Sequence, residues 1–306
     1  MAWAKLRFLE PKEDAVLPRW ARWLPAGFRY TERYRPYRIQ REEGEIIGIL
    51  QAEKEQAVTP EWRRGAKELL MALRQEGISI VVPPPEGEFP REVLPFAEGR
   101  RLATLFAFAG AAEALRRLGK EPGEGRFLLA GGGPELWRAA LASMGAEGNH
   151  LAIFTDAPEQ AEPLLQELYA ERGLLAEVFS SVKNPAFREA DAVLSCGMEQ
   201  RAFEHILKKE AVWLDLVGNR PMLRRLQQLR PDITAAEGFF FHVGEKQREG
   251  RIAEAEAYLS CPAFRQCWEL PWSRAKPGSI LAELQENGIA VSGFSAFGKR
   301  VKVRKG

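Results

Sequence analysis

Residues 126–141 read RFLLAGGGPELWRAAL, and this stretch decides the fold. Positions 126–130 carry the apolar run of a strand buried on both faces. Gly131, Gly132 and Gly133 then form a tight turn, because glycine adopts positive φ without steric cost. Pro134 stands at the head of a helix running to about residue 144, where its missing N–H is no loss. Further on, 150–155 (HLAIFT) reads as a second strand ending at Asp156, and 160–172 as a helix. Residues 174–179, 192–195 and 211–217 (AVWLDLV) read as the third, fourth and fifth strands. Such βαβ alternation predicts a parallel sheet covered on both faces.

Toward the N-terminus the pattern repeats on a smaller scale. GEIIGIL (44–50) is a short buried strand, and Thr59-Pro60 marks a helix start. Trp62, Ala66, Leu69, Leu70 and Leu73 fall on one face of a helix to about residue 75, with Gly77 as its stop. Residues 78–82 form another strand. Residues 100–118 read as a long helix whose centre, FAFAGAAEAL, is small enough for close packing. The expected fold class is α/β in two domains, an N-terminal α/β domain plus a Rossmann-like parallel-sheet domain. The boundaries are a basic aromatic segment at 1–43, the first domain with a linking helix at 44–118, the dinucleotide-type domain at 119–240, and a C-terminal helical segment with a basic tail at 241–306.

Composition narrows the class. The 306 residues carry 44 basic and 42 acidic side chains, and are 45% hydrophobic, which excludes collagenous, disulfide-scaffold and wholly disordered chains. The longest apolar run, 102–112, is too short to span a bilayer, and the first residues lack the apolar stretch of a signal peptide. Three cysteines, an odd number, suit a reducing compartment. The expectation is a cytoplasmic protein with no membrane partner.

The net charge of +2 hides a segregated distribution. Residues 1–41 sum to +6 and residues 293–306 to +5, so the remaining 251 sum to −9. The N-terminal end is also aromatic, with Trp3, Phe8, Trp20, Trp23, Phe28, Tyr30, Tyr34 and Tyr37. Basic charge among aromatic rings is what single-stranded nucleic acid requires. No nucleic-acid motif accompanies it, and docking on the acidic body, or on that of a second copy in a homo-oligomer, is the simpler use of both basic ends.

The glycine turn carries the main chemical signal. Gly131 and Gly133 match the first two glycines of G-x-G-x-x-G, whose backbone approaches a pyrophosphate. Asp156, 25 residues after Gly131 and directly after a strand, is placed to accept bonds from a ribose. Leu136 occupies the third glycine position. The cofactor expectation is NAD, since a carboxylate repels the 2′-phosphate of NADP and no arginine closely follows Asp156. Cys196 and Gly197, in VLSCG at the end of the fourth strand, lie where Rossmann ligands pass.

From here on the layout resembles the shikimate/quinate dehydrogenase family. The likeness runs over roughly 44–270, in GEIIGIL…TPEWRRGAKELLMAL…ISIVVPP, LAGGGPELWRAAL, WLDLVGNRPMLRRL and EGFFFHVGEKQ. It implies an N-terminal substrate domain, a dinucleotide domain and hydride transfer with a small-molecule substrate. Carried over residue by residue, Thr59 stands in the family's Ser-Pro place, Gly238 lies near nicotinamide and Gln247 faces substrate. His242 falls inside the same segment. The family's Asn-Val-Thr-x-Pro-x-Lys and Asn-Thr-Asp-Gly motifs are both missing, so no catalytic proton shuttle is identified; Lys54 sits at a different spacing. Shikimate itself is therefore not the expected substrate. The alternatives are a non-catalytic Rossmann-fold binding or scaffold protein, and a nucleic-acid-associated protein using the aromatic N-terminus. The histidines show no ligand spacing, and Cys261 and Cys267 lack partners for zinc. Asp215 reads as a polar strand end near the cleft rather than a base.

Overall fold

The computed structural model describes residues 2–8, 37–42, 44–50, 60–84, 89–145, 148–198, 203–268, 271–272 and 274–303. The chain divides into two compact units, Met1–Glu98 with Glu254–Ser260, and Gly99–Ala253 with Cys261–Gly306.

In the first unit β1 (Ala2–Phe8), β2 (Tyr37–Glu42), β3 (Glu45–Leu50) and β4 (Ile78–Val82) form a sheet of order β2-β3-β1-β4. β1 runs parallel to β3 and β4, while β2 is antiparallel to β3. Helix α1 (Pro60–Gln75) covers it with the expected stripe, and Ala66, Leu69, Leu70 and Leu73 are fully buried with Leu6 and Val81. Gly48 permits the close approach, because a Cβ there would stand 2.9 Å from Leu6 and 3.2 Å from Leu69. The strands at 44–50 and 78–82 and the helix at 60–75 match the sequence reading. β1 was not foreseen, since its AWAKLRF lacks an extended apolar run.

The second unit begins with α2 (Arg100–Leu105) and α3 (Ala107–Arg117), two helices where one was expected. They part at Phe106, whose ring meets Phe241 edge-on at 5.4 Å. The small-residue centre does allow close packing: a Cβ on Gly110 would collide with the Phe239 ring at 2.3 Å. Then follow β5 (Arg126–Ala130), α4 (Pro134–Ala140), β6 (His150–Phe154), α5 (Glu162–Arg172), β7 (Glu177–Phe179), α6 (Pro185–Glu189), β8 (Ala192–Ser195), β9 (Val212–Asp215), α7 (Arg220–Leu229) and β10 (Thr234–Ala236). The six strands are all parallel, in the order β10-β9-β8-β5-β6-β7. Numbered within the sheet from β5, that order is 3-2-1-4-5-6, the doubly wound Rossmann arrangement. An aromatic row fills one side: Phe154 meets Phe187, Phe187 meets Phe203, and Phe203 stacks on Trp213 at 4.8 Å.

Residues 241–306 hold more than the expected helices. α8 (Gly250–Ser260), α9 (Pro262–Gln266) and α10 (Pro277–Glu286) are accompanied by strands of a third sheet. β11 (Gly238–Val243), β12 (Lys246–Glu249), β13 (Ile289–Ala296) and β14 (Lys299–Val301) make an antiparallel sheet of order β12-β11-β13-β14. The Glu237 N–H donates to the Ser295 carbonyl at 2.9 Å, so this sheet hangs on the end of β10 and shields that edge.

Candidate functional site

The six parallel strands end on one edge, where three loops meet. The first follows β5. Gly131 and Gly132 have φ of 74° and 72°, backbone that other residues seldom adopt. A Cβ on Gly132 would stand 2.4 Å from the Cys196 carbonyl oxygen, and one on Gly131 2.7 Å from the Met198 nitrogen. Both glycines are therefore demanded twice, by conformation and by the loop 196–198 lying against them. Gly133 is extended, and among the described residues a Cβ there would meet only Gln160 Oε1, at 4.0 Å, so these leave the outer side of the turn open. The buried Trp137 donates its indole N–H to the Gly131 carbonyl at 2.7 Å and locks the turn to α4. The Gly131 N–H donates to the Phe154 carbonyl at 2.9 Å, which brings the turn beside the end of β6, where Asp156 is exposed.

The second loop follows β8. The Cys196 N–H donates to the Ala130 carbonyl at 2.8 Å. Burial, with the neighbouring Asp215 adding to it, pushes the Cys196 thiol far above the usual thiol range. A neutral buried thiol fills space and is no nucleophile. Gly197 follows at φ 113° and is exposed.

The third loop follows β9. Asp215 is the register partner of Ser195, and both are buried. Asp215 Oδ1 accepts the Val217 N–H at 3.2 Å, and the carboxyl also takes the N–H groups of Asn219 and Gly218. Burial nevertheless pushes its carboxyl up to about 6, and the nearby Glu237 raises it too. Among the described residues, Asp215 Oδ2 and Ser195 Oγ have no hydrogen-bond partner. Ala236 pairs with Leu214, so Glu237 comes next to Asp215 along the same edge. Glu237 holds Arg220 at 3.3 Å and accepts the Phe297 N–H at 2.8 Å. Arg100, at the start of α2, lays its guanidinium against the Gly218 turn.

The structure thus gathers Gly131, Gly132, Cys196 and Gly197 into one contact, with Asp156 at the end of the adjacent strand. Gly238 opens β11 directly after Glu237, beside Ser295. His242 and Gln247 are exposed and face each other across the β11–β12 hairpin. They lie about 13 Å along the strand from Gly238, at about 3.3 Å per residue. Gln247 donates to Ser292 Oγ at 2.8 Å and accepts from Arg300 at 3.3 Å. Thr59, Lys54 and the aromatic stretch 9–36 lie outside the described residues. Sequence reasoning passed over Ser195, Glu237 and Arg100. The first was legible as a polar residue closing an apolar strand, as Asp215 was; Arg100 becomes visible only in space. Among the described residues, no group of three or more His, Cys, Asp or Glu side chains is arranged to hold a metal ion, and no helix is long and apolar enough to cross a membrane.

No family model matches the chain, and no curated protein matches it. Solved structures of several dehydrogenases and reductases resemble it at low identity. Shikimate 5-dehydrogenase from Listeria monocytogenes, crystallised with shikimate and NAD, is 12% identical with a TM-score of 0.37, over 93% of this chain and 96% of that one. The ligand-free 5-ketofructose reductase of Gluconobacter sp. strain CHM43 is 14% identical with a TM-score of 0.38, over 94% of this chain and 98% of that one. L-tryptophan dehydrogenase from Nostoc punctiforme is 10% identical with a TM-score of 0.40, over 80% of this chain and 78% of that one. The resemblance is faint, and the functional assignment rests on the site itself.

Proposed function

We propose that the chain is an oxidoreductase that binds a nicotinamide dinucleotide and acts on a small molecule. One observation carries this reading. The glycine turn follows the first strand of a sheet ordered 3-2-1-4-5-6 and faces the loop after the fourth, the switch point where such sheets bind ligands. The open outer side of Gly133 and the exposed Asp156 suit the group. Residues 131–133 would hold the pyrophosphate, and Asp156 the ribose hydroxyls, in preference for NAD over NADP. When bound, the dinucleotide supplies hydride transfer. The chain itself contributes the edge formed by the buried Ser195 and Asp215 and by Glu237, which is paired with Arg220.

A titration of NAD and of NADP, followed by tryptophan fluorescence, tests the reading, since Trp137 is bonded to the turn. NAD should bind, and Asp156→Ala should weaken it at least tenfold while changing NADP little. Failure of both dinucleotides at millimolar concentration would end it. A second reading, a protein that keeps the fold and binds without redox chemistry, is favoured by the 196–198 backbone filling the space beside Gly131 and Gly132. Binding without turnover across a panel of hydroxy and oxo compounds would select that one.

A further inference from the structure

The edge described above holds a cation as well as its carboxylates. Arg100 is exposed, and its guanidinium meets no carboxylate or carbonyl among the described residues. It packs on the Gly218 turn. A Cβ on Gly218 would stand 2.5 Å from Nη2, 2.7 Å from Cζ and 3.0 Å from Nε of Arg100. The guanidinium lies flat on the backbone of a turn that no other residue would leave bare, and Gly218 also has φ 76°. A guanidinium presented in this way offers its planar fork to the paired oxygens of an oxyanion.

The second observation lies in the same turn. The Gly218 N–H is one of the donors that anchor the turn on Asp215. Asp215 Oδ2 and its register neighbour Ser195 Oγ are buried polar atoms without hydrogen bonds among the described residues. Unmade bonds of this kind are uncommon in folded proteins, and the Ser195 hydroxyl can donate to an oxyanion, whereas the Asp215 carboxyl can do so only when protonated. The turn and both orphan atoms belong to the ends of β8 and β9, on the ligand-binding side of the sheet, and Arg100 reaches the turn from the start of α2.

From this we infer that Arg100, seated on the Gly218 turn that follows Asp215, is an oxyanion subsite, and that the molecule this protein acts on carries a carboxylate or a phosphate. The inference rests on the oxidoreductase reading for the subsite's purpose, though not for its existence. Arg100 is a binding residue here and takes no part in proton or hydride movement.

The test uses the full chain and two probes, glycolate for the carboxylate and inorganic phosphate for the phosphate, titrated calorimetrically against chloride at matched ionic strength. At least one should bind, and the one that does identifies the group. Arg100→Gln should weaken it at least tenfold. Arg100→Lys, which keeps the charge without the planar fork, should fall between. Gly218→Ala should reproduce the loss with the charge intact, by displacing the guanidinium. Arg64→Gln, in the first unit, should change nothing. Absence of binding by both probes, or equal loss in Arg100→Gln and Arg64→Gln, overturns the subsite. If Gly218→Ala does not fold, the two Arg100 variants decide. NAD binding is measured on the same samples. Loss of NAD binding with oxyanion binding retained sinks the oxidoreductase reading alone; the reverse sinks the subsite alone.

Discussion

Gly132 and Asp215 show how much a single position at this edge decides. Gly132→Ala would combine a left-handed backbone with a Cβ at 2.4 Å from the Cys196 carbonyl, and neither can relax without moving the other loop. The expected loss is on the order of 3 kcal/mol, read from urea midpoints. Gly133→Ala, with extended backbone and open space, should cost far less. Asp215 makes a pH prediction. Its carboxyl is held at about 6 in the folded chain, above the ordinary carboxylate value. The folded state therefore binds the proton more tightly than the unfolded one. The stabilisation is fully present below about pH 4 and is lost as pH rises through about 6, amounting to about 3 kcal/mol. Asp215→Asn should flatten that part of the stability–pH curve, measured by denaturant unfolding; an unchanged slope between pH 4 and 7 would refute the assignment. The glycines were legible in the sequence because a run of three has few other uses. Asp215 was legible as a strand end, but its orphan oxygen was not, because hydrogen bonding depends on what the other strands bring beside it.

Elements are tied together at the opposite edge of the same sheet. Asp191, just before β8, accepts from Lys208 at 2.6 Å, from Lys120 at 3.2 Å and from the Arg126 N–H at 3.1 Å. Burial alone would raise its carboxyl, but these partners hold it below the usual range. Asp191→Asn takes the shared carboxylate from two lysines that are about a third exposed, and Lys120 keeps Glu210 at 3.9 Å, so it should cost about 1–2 kcal/mol, below the range for a fully buried pair. The sign with pH is opposite to that of Asp215. The stability from Asp191 is present above the unfolded carboxylate value and disappears as pH falls through the lowered one, so acid unfolding of the variant should begin from a lower baseline and show a shallower acid limb. Arg230 performs a similar task for residues 203–208. It donates to the carbonyls of Glu204, Leu207 and Lys208 and pairs with Asp232 at 2.7 Å. Arg230→Lys cannot span three carbonyls with one ammonium and should destabilise nearly as much as Arg230→Ala, a result readable from thermal midpoints. Helices and strands with strong periodicity, such as α1 and β5, were legible from sequence. The short β10 (TAA) and the C-terminal sheet were not, because three small residues or a KQRE strand carry no periodic signal and exist by pairing.

For the whole molecule, the oxidoreductase reading predicts linkage between dinucleotide binding and stability. At a hundredfold excess over its dissociation constant, NAD should add about 2.7 kcal/mol and raise the melting temperature by several degrees. Asp156→Ala should lose most of that shift at the same concentration, and an equal shift in both proteins would remove Asp156 from the site. The alternation of strand and helix, the glycine turn and the acidic residue beyond the second strand all follow from the sequence by itself. So does the charge segregation of an acidic body between two basic ends. These are local properties, set by side-chain spacing, by glycine's freedom at positive φ and by simple counting. The tertiary structure decided the rest. It ordered the strands 3-2-1-4-5-6, pressed the loop 196–198 against Gly131 and Gly132, added a third sheet beside β10 and seated Arg100 on Gly218. Each of these joins residues far apart in the chain, and such contacts depend on strand order and register, which come from the packing of the whole core and not from the pattern of any one segment.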